Sequence, residues 1–197
     1  VSIKIKHDRI IEIGNFNIDT SLKVIDLSHQ YVIPGLINLH AHLPSSGKLR
    51  KKKLGDVSKL VKFISSTRFT RYIGRKLCES QLKASLYSGV TTLRCVGGIA
   101  NIDTTLRDLV NKGKVIGPSL VVSNMAIGMP NGHMVGTVTN AISSIDEGKV
   151  LIDKLIKEKV DIVKLMITGG VLDGNKPGNP GQLAMPLDYV RELTSYA

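Results

Sequence analysis

The run from Val32 to His42 constrains the fold of this chain more than any other stretch. It is apolar and rich in β-branched residues, contains a Pro-Gly turn, and ends in two histidines, His40 and His42, separated by one residue. Residues i and i+2 of a β-strand point to the same face. The pattern therefore predicts a strand that aims two imidazoles at one point near its C-terminal end. Imidazole is the commonest protein ligand for metals such as zinc. The pair is therefore either a metal site or two ordinary histidines without a metal.

Strand and helix patterns alternate along the chain. Residues 1–13 predict a hairpin that turns at His7-Asp8, and Lys23 to Leu27 predicts a short strand. Four strand–helix pairs follow, with strands predicted over 31–39, 90–96, 119–123 and 160–167 and helices over 56–88, around 106–110, from a capping box at Ser144-x-x-Glu147, and from about Pro186. Such alternation implies a parallel sheet, and nearly continuous apolar runs are typical of strands buried on both faces.

These patterns favour an α/β fold of the (β/α)8 TIM-barrel type over a dinucleotide-binding fold, because no G-x-G-x-x-G motif follows the first strand. A barrel places its chemistry at the C-terminal ends of its strands, where His40 and His42 are expected. A complete barrel needs about 250 residues, and the chain has 197. We therefore expect residues 31–197 to form about the first four β/α units, and residues 1–30 to form part of a small β-sandwich domain.

Composition and charge exclude several classes of protein. There is no apolar run of about 18 residues and no signal-peptide core, so we expect no membrane span. Two cysteines, Cys78 and Cys95, do not make a disulfide framework, which favours a reducing, cytoplasmic setting. The net charge of +11 includes a cluster from Lys48 to Lys53. This charge has two interpretations: a patch that binds nucleic acid or an anionic membrane, and an ordinary solvated surface. The few aromatic residues favour the solvated surface, so we expect no nucleic acid to be bound.

Lys164 stands inside the predicted apolar strand over 160–167. Full burial of lysine is rare, because removing an ammonium group from water is costly. One interpretation is an outward-facing side chain at a strand end. The other is a lysine with a depressed pKa, used as a base, a Schiff base or a modified ligand. A neutral lysine amine can add carbon dioxide to become a carbamate, a bidentate anion able to bridge two metals.

Three motifs together resemble the amidohydrolase superfamily of metal-dependent hydrolases. The stretch Ile33 to His42 is similar to the first-strand signature of that superfamily, and Gly89 to Arg94 is similar to its second strand. The stretch Asp161 to Val171 resembles the fourth strand of the prolidase-like, dipeptide-cleaving branch, in which the lysine is carboxylated. The motifs fall in the order that the superfamily has, and the resemblance covers nearly the whole chain.

This resemblance implies a divalent-metal site, usually with two zinc ions. His40 and His42 would hold one metal, and carboxylated Lys164 would bridge both. A bridging hydroxide would then attack the carbonyl carbon of an amide bond. His133, in a loop after the third barrel strand, would bind substrate.

The sequence departs from the family pattern at the second strand. The family often has Arg-Asp at the end of this strand, whereas Arg94 is followed here by Cys95. Any role of that aspartate is therefore in doubt. We interpret Cys95 as a small buried strand residue rather than a nucleophile.

A larger departure concerns the later strands, from which the superfamily draws two further histidines and an aspartate that is also the general base. No histidine follows His133, so the expected aspartate lies beyond Ala197 and no catalytic residue is expected in this chain. We expect an incomplete fragment, inactive alone, that associates with itself or with the missing half and acts in the whole protein on a dipeptide or N-acyl amino acid. The alternatives are a cyclic-amide hydrolase of imidazolonepropionase type, a non-catalytic half-barrel that pairs with another chain, and a nucleic-acid-binding module with a vestigial metal motif.

Overall fold

The computed structural model describes residues 1–17, 19, 21–43, 57–130, 132–170 and 181–197. The contacts divide the chain into two compact units, Val1–Pro34 and Gly35–Ala197. The lysine cluster from Lys48 to Lys53 and most of the predicted loop over 173–182 lie outside the described residues.

The first unit contains the predicted hairpin. Strand β1 (Ser2–Lys6) pairs antiparallel with β2 (Arg9–Gly14), and His7 turns the chain with a φ of 55°. The predicted strand over Lys23 to Leu27 is wrong, because this described stretch forms no strand. An apolar stretch becomes a strand only where a neighbour satisfies its backbone and covers one face. Val24 and Ile25 are both exposed, so nothing covers them here.

The second unit is built on parallel strands. Strands β3 (Leu36–Ala41), β4 (Val90–Cys95) and β5 (Ser119–Val122) form one sheet in that order. A second parallel sheet has the order β7-β6-β8, from β6 (Ala126–Gly128), β7 (Thr139–Ala141) and β8 (Leu165–Met166).

Backbone hydrogen bonds join the two sheets. The carbonyl of Val122 on β5 accepts from the N–H groups of Asp161 and Ile162, at 2.9 and 3.3 Å, just before β8. The Asp161 carboxylate accepts in turn from the Val122 N–H at 2.9 Å. The four predicted strand positions therefore lie side by side in chain order.

Two predicted strands are shorter than expected. The strand predicted over 31–39 begins only at Leu36, past Pro34, which has no N–H to donate to a ladder. The strand predicted over 160–167 is regular only at Leu165–Met166. Its first residues bond irregularly to the single carbonyl of Val122. Strands β6 and β7 were not predicted from the sequence.

In the described part of the chain, five helices accompany the strands: α1 (Val57–Ser66), α2 (Arg68–Tyr87), α3 (Ile102–Asn111), α4 (Ile145–Lys157) and α5 (Leu187–Tyr196). The single helix predicted over 56–88 is two helices, because Thr67 is extended and caps α2. The side chain of Thr67 accepts from the N–H of Thr70 at 3.1 Å. This reciprocal cap satisfies backbone donors that would otherwise be free at the start of a helix.

The helices cover the sheets through two apolar clusters. One centres on buried residues of α2, β4, α3 and β5, among them Leu82, Leu93, Leu106 and Val122. The other joins β6, α4 and α5 through residues such as Ile127, Ile152 and Leu193. An α/β protein with parallel sheets is thereby confirmed.

Candidate metal centre at the strand ends

The two histidines of the first strand lie together, as the sequence predicts. His40 is the second-last residue of β3, and His42 follows the end of the strand. Their ring centroids are 5.4 Å apart in an edge-to-face arrangement. The backbone N–H of His40 is held by the side-chain oxygen of Asn38 at 3.0 Å. Local hydrogen bonding at this strand end thus supports the pair.

His42 is fixed by the loop after the neighbouring strand. Its Nδ1 lies 2.9 Å from the carbonyl oxygen of Gly97, two residues past β4. A carbonyl only accepts, so this contact assigns the proton to Nδ1 and leaves the Nε2 lone pair free. Gly97 has a φ of 123°, a left-handed conformation that side chains rarely adopt. The glycine therefore lets the loop present its carbonyl to the imidazole.

His40 has a depressed pKa. Partial desolvation lowers the pKa of His40 below its ordinary value of 6.5, and the nearby charges of His42, Lys164 and Arg94 lower it further. A neutral imidazole is the form that binds a metal. The environment thus favours the ligand form of His40 at neutral pH.

Lys164 lies on the fourth predicted strand. It is half-buried and directly precedes β8, and its carbonyl accepts from the N–H of Ile127 at 2.9 Å. Its charge helps to lower the pKa of His40, although β4 and β5 lie between their two strands. Lys164 is therefore near enough to His40 to act on it electrostatically. His133, which the resemblance assigns to substrate binding, lies half-buried in a turn after β6.

Both cysteines are buried and free of disulfides. Burial raises the pKa of the Cys78 thiol to about 12 and raises the pKa of Cys95 further. A thiol that stays protonated is a poor nucleophile. The prediction that Cys95 is a buried strand residue is confirmed.

Asp103 is a notable residue that the sequence did not single out. It lies in the first turn of α3, fully buried, and neither carboxylate oxygen has a hydrogen-bond partner within the described part of the chain. Burial raises its pKa to about 7. A Cβ on Gly98 would overlap this carboxylate, so Asp103 packs directly beneath the loop that holds His42. Acidic residues are common in the first turn of a helix, so nothing in the sequence indicated that this one is buried.

Within the described residues, no group of three or more His, Cys, Asp or Glu side chains is placed to hold a metal ion. In the same part of the chain, no helix has both the length and the apolar character needed to cross a bilayer.

The fold and these strand ends define a class: α/β proteins with parallel sheets that carry a His-x-His pair at the end of their first parallel strand. Residues 31–197 match the sequence model of the amidohydrolase family. The chain belongs to the amidohydrolase family, a family of hydrolases. No curated protein matches the chain.

Solved structures share the fold. A prolidase complexed with N-methylphosphonate-L-proline superposes with a TM-score of 0.71 at 18% identity, over 99% of this chain and 48% of that one. A Xaa-Pro dipeptidase with bound methionine in its active site gives a TM-score of 0.62 at 21% identity, over 89% and 45%. Ochratoxinase from A. niger gives 0.63 at 15% identity, over 83% and 40%. The chain thus spans less than half the length of each structure.

Proposed function

We propose that this chain carries the first part of the metal centre of an amide-bond hydrolase, one that cleaves dipeptides or N-acyl amino acids. The observation that carries the proposal is the pair of His40 and His42 at the C-terminal end of β3, together with the charge of Lys164 that acts on His40, in an amidohydrolase chain. The four strand–helix units would form the first half of a (β/α)8 barrel, whose chemistry lies at this edge.

The residues fit a divalent metal in their chemistry. His42 donates from Nδ1 to the Gly97 carbonyl, which leaves Nε2 as a ligand atom. Histidines that bind metals commonly donate their other N–H to a carbonyl or carboxylate in this way. The lowered pKa of His40 keeps its ring neutral. His40 and His42 would hold one ion, and Lys164, as a carbamate, would join it to a second.

Hydrolysis of an amide needs a polarised carbonyl and an activated water. When bound, zinc or a similar ion supplies both, because it acts as a Lewis acid and lowers the pKa of water. The contribution of the chain is to orient the ligands: the Gly97 carbonyl fixes the tautomer of His42, and the Asn38 amide anchors the backbone of His40. His133 follows β6 in the chain, and we propose that it contacts the substrate.

One observation supports a peptide-like substrate, and another supports a metal site whose ligands come only partly from this chain. Structures with a similar fold include a prolidase and a Xaa-Pro dipeptidase. Two histidines and one lysine are too few ligands to close two metal sites. We therefore propose that the remaining ligands and the general base come from residues outside this chain.

Metal binding tests the proposal directly. We expect the chain to bind zinc in equilibrium dialysis with elemental analysis. His40→Ala and His42→Ala should each weaken binding more than about tenfold, since each removes a ligand. His29→Ala is the matched control, because His29 is an exposed histidine of the first unit. Zinc binding that survives the loss of both His40 and His42 would overturn the site.

Carboxylation of Lys164 needs a separate test. With zinc present and ¹³C-labelled bicarbonate in the buffer, we expect a carbamate carbon signal in the NMR spectrum. Lys164→Arg should abolish this signal, and Lys159→Arg should retain it. A signal that persists in Lys164→Arg would assign the carbamate elsewhere. Assay of the complete gene product against a dipeptide and a cyclic-amide panel would then separate the two substrate classes.

A further inference from the structure

A second, separate cleft lies between the N-terminal half of α2 and the start of α3. Its volume is about 210 Å³. Three arginines of α2, Arg68, Arg71 and Arg75, supply its charge. They are spaced i, i+3 and i+7, so they share one face of the helix. The remaining lining residues include no acid; they are Tyr72, Asn101, Ile102 and Thr105.

The three guanidinium groups are only partly satisfied. Arg68 is exposed and has no ion pair or hydrogen bond among the described residues. Arg71 donates from Nη2 to the carbonyl of Ser65 at 3.2 Å, but its Nε is buried without an acceptor in that same part of the chain. A buried donor without a partner is costly, so an acceptor atom bound beside Arg71 would stabilise it.

Arg75 is held rigidly at the cleft. Its Nη1 lies 2.6 Å from the Glu79 carboxylate, and its guanidinium carbon lies 5.0 Å from the centre of the Tyr72 ring. Glu79 is also paired with Lys76 at 2.8 Å. One carboxylate is therefore shared between two cations, and positive charge dominates this face of α2.

The helix ends add to this potential. The first turn of α2 contains no acidic residue and begins with Arg68, although the positive end of a helix dipole disfavours cations. Among the described residues, the side chain of Asn101, the N-cap of α3, makes no capping hydrogen bond, so its amide is available to a ligand. This arrangement weakens the helix in isolation and suits a bound anion.

We propose that this cleft binds a phosphate group, as inorganic phosphate or as the terminal group of a small ester. Guanidinium forks match phosphate oxygens in bidentate geometry, and three forks exceed what one carboxylate ligand can use. The volume is below the roughly 300 Å³ at which pockets for drug-sized ligands begin, which favours a small anion. None of the lining residues belongs to the strand-end metal centre. The inference therefore stands independently of the proposed hydrolase activity.

Calorimetric titration of the 197-residue chain with inorganic phosphate, at constant ionic strength set with sodium chloride, tests the site. We expect one phosphate per chain. Arg68→Gln should weaken binding by about tenfold or more, as should Arg71→Lys, which keeps the charge but loses the fork. Arg191→Gln on α5 is the matched control, since it removes an exposed arginine outside the cleft. Arg68 is exposed, so this variant decides the matter if Arg71→Lys does not fold.

The Arg71 Nε–H resonance in ¹H–¹⁵N spectra locates the ligand. It should shift as phosphate is added, because this donor gains an acceptor. Absence of both heat and shift, equal binding by Arg68→Gln, or equal binding of acetate would each overturn the proposal. So would binding of a single-stranded oligonucleotide that phosphate does not displace. Glycerol phosphate and vesicles containing phosphatidate distinguish the free and lipid-borne sources of the group, and a response to either supports the site.

Discussion

At the scale of single residues, the loop after β4 is the most constrained part of the molecule. Gly97 presents its carbonyl to His42, while Gly98 lies against the buried carboxylate of Asp103. The backbone of Gly98 also donates to the Asn124 carbonyl at 2.7 Å. A buried acid, a glycine pair and a candidate ligand are thus packed in one place. Substitutions at Gly98 or Asp103 should therefore change the free energy of unfolding.

Asp103 should make stability depend on pH. Its pKa is about 7 in the folded chain against an ordinary value of 3.8, because burial disfavours the charged form. Between these pH values unfolding releases a proton, so the free energy of unfolding falls as pH rises from about 4 to about 7 and stays low above that. Asp103→Asn should remove this fall. Relative to the unsubstituted chain, the free energy of unfolding of the variant should therefore be higher at pH 8 than at pH 4 by up to about 4 kcal/mol.

Urea unfolding across this pH range measures the effect. Asp188→Asn is the control, because Asp188 lies in the first turn of α5 but is exposed. Parallel pH profiles for Asp103→Asn and the unsubstituted chain would show that Asp103 does not titrate as its burial implies.

Gly98→Ala should destabilise the second unit by about 1–3 kcal/mol, since the added methyl group would overlap the buried Asp103 carboxylate. Gly14→Ala, where a Cβ would meet nothing within 4 Å, should have little effect. The double substitution Gly98→Ala, Asp103→Ala should show positive coupling in denaturant unfolding, because the smaller side chain restores room. Strict additivity of the two single changes would contradict this contact.

At the scale of elements, helix starts are decided by short side chains. Ser144 caps α4 by accepting from the N–H of Glu147 at 3.2 Å. The Glu147 carboxylate reaches back to the N–H of Ser143 at 2.6 Å, one residue before the position that a capping box predicts. Acids in the first turn of α4 and lysines in its last turn complement the helix dipole.

Ser144→Ala should lower the free energy of unfolding by about 1 kcal/mol, because it leaves a helix N–H group without its acceptor. Ser80→Ala provides the comparison: Ser80 is exposed within α2 and bonds only to the carbonyl one turn back and to a neighbouring side chain. Thermal and urea unfolding should separate the two variants, and equal losses would argue against the capping role.

At the scale of the whole molecule, β3 is at the edge of its sheet and is exposed along almost its whole length. The relative solvent-accessible surface areas of Leu36, Ile37 and Leu39 are 52%, 63% and 60%. Parallel strands are normally covered on both faces. An apolar edge of this kind is a template for further pairing.

The isolated chain should therefore self-associate through β3. In sedimentation velocity at increasing concentration, we expect oligomers, and Ile37→Lys with Leu39→Lys should shift the distribution toward monomer. Val150→Lys replaces a single exposed apolar residue on α4 and should change little. A chain that stays monomeric throughout the concentration range would show that β3 does not drive association.

The hairpin, the alternation of strands and helices, the cap at Ser144 and the family could all be predicted from the sequence, because they depend on periodicity and local chemistry. The same reasoning put His40 and His42 on one side of a strand end. It failed at Lys23 to Leu27 and at the break before α2, where partners and caps outweigh apolar pattern.

The surroundings of these residues required the folded chain. The Gly97 carbonyl on His42, the charge of Lys164 at His40, the buried Asp103 and the arginine cleft all join residues far apart in the chain. Periodicity states which face of an element a side chain occupies, but not which side chain of another element meets it. The His-x-His strand could therefore be recognised in the sequence, whereas its neighbours were set by long-range packing.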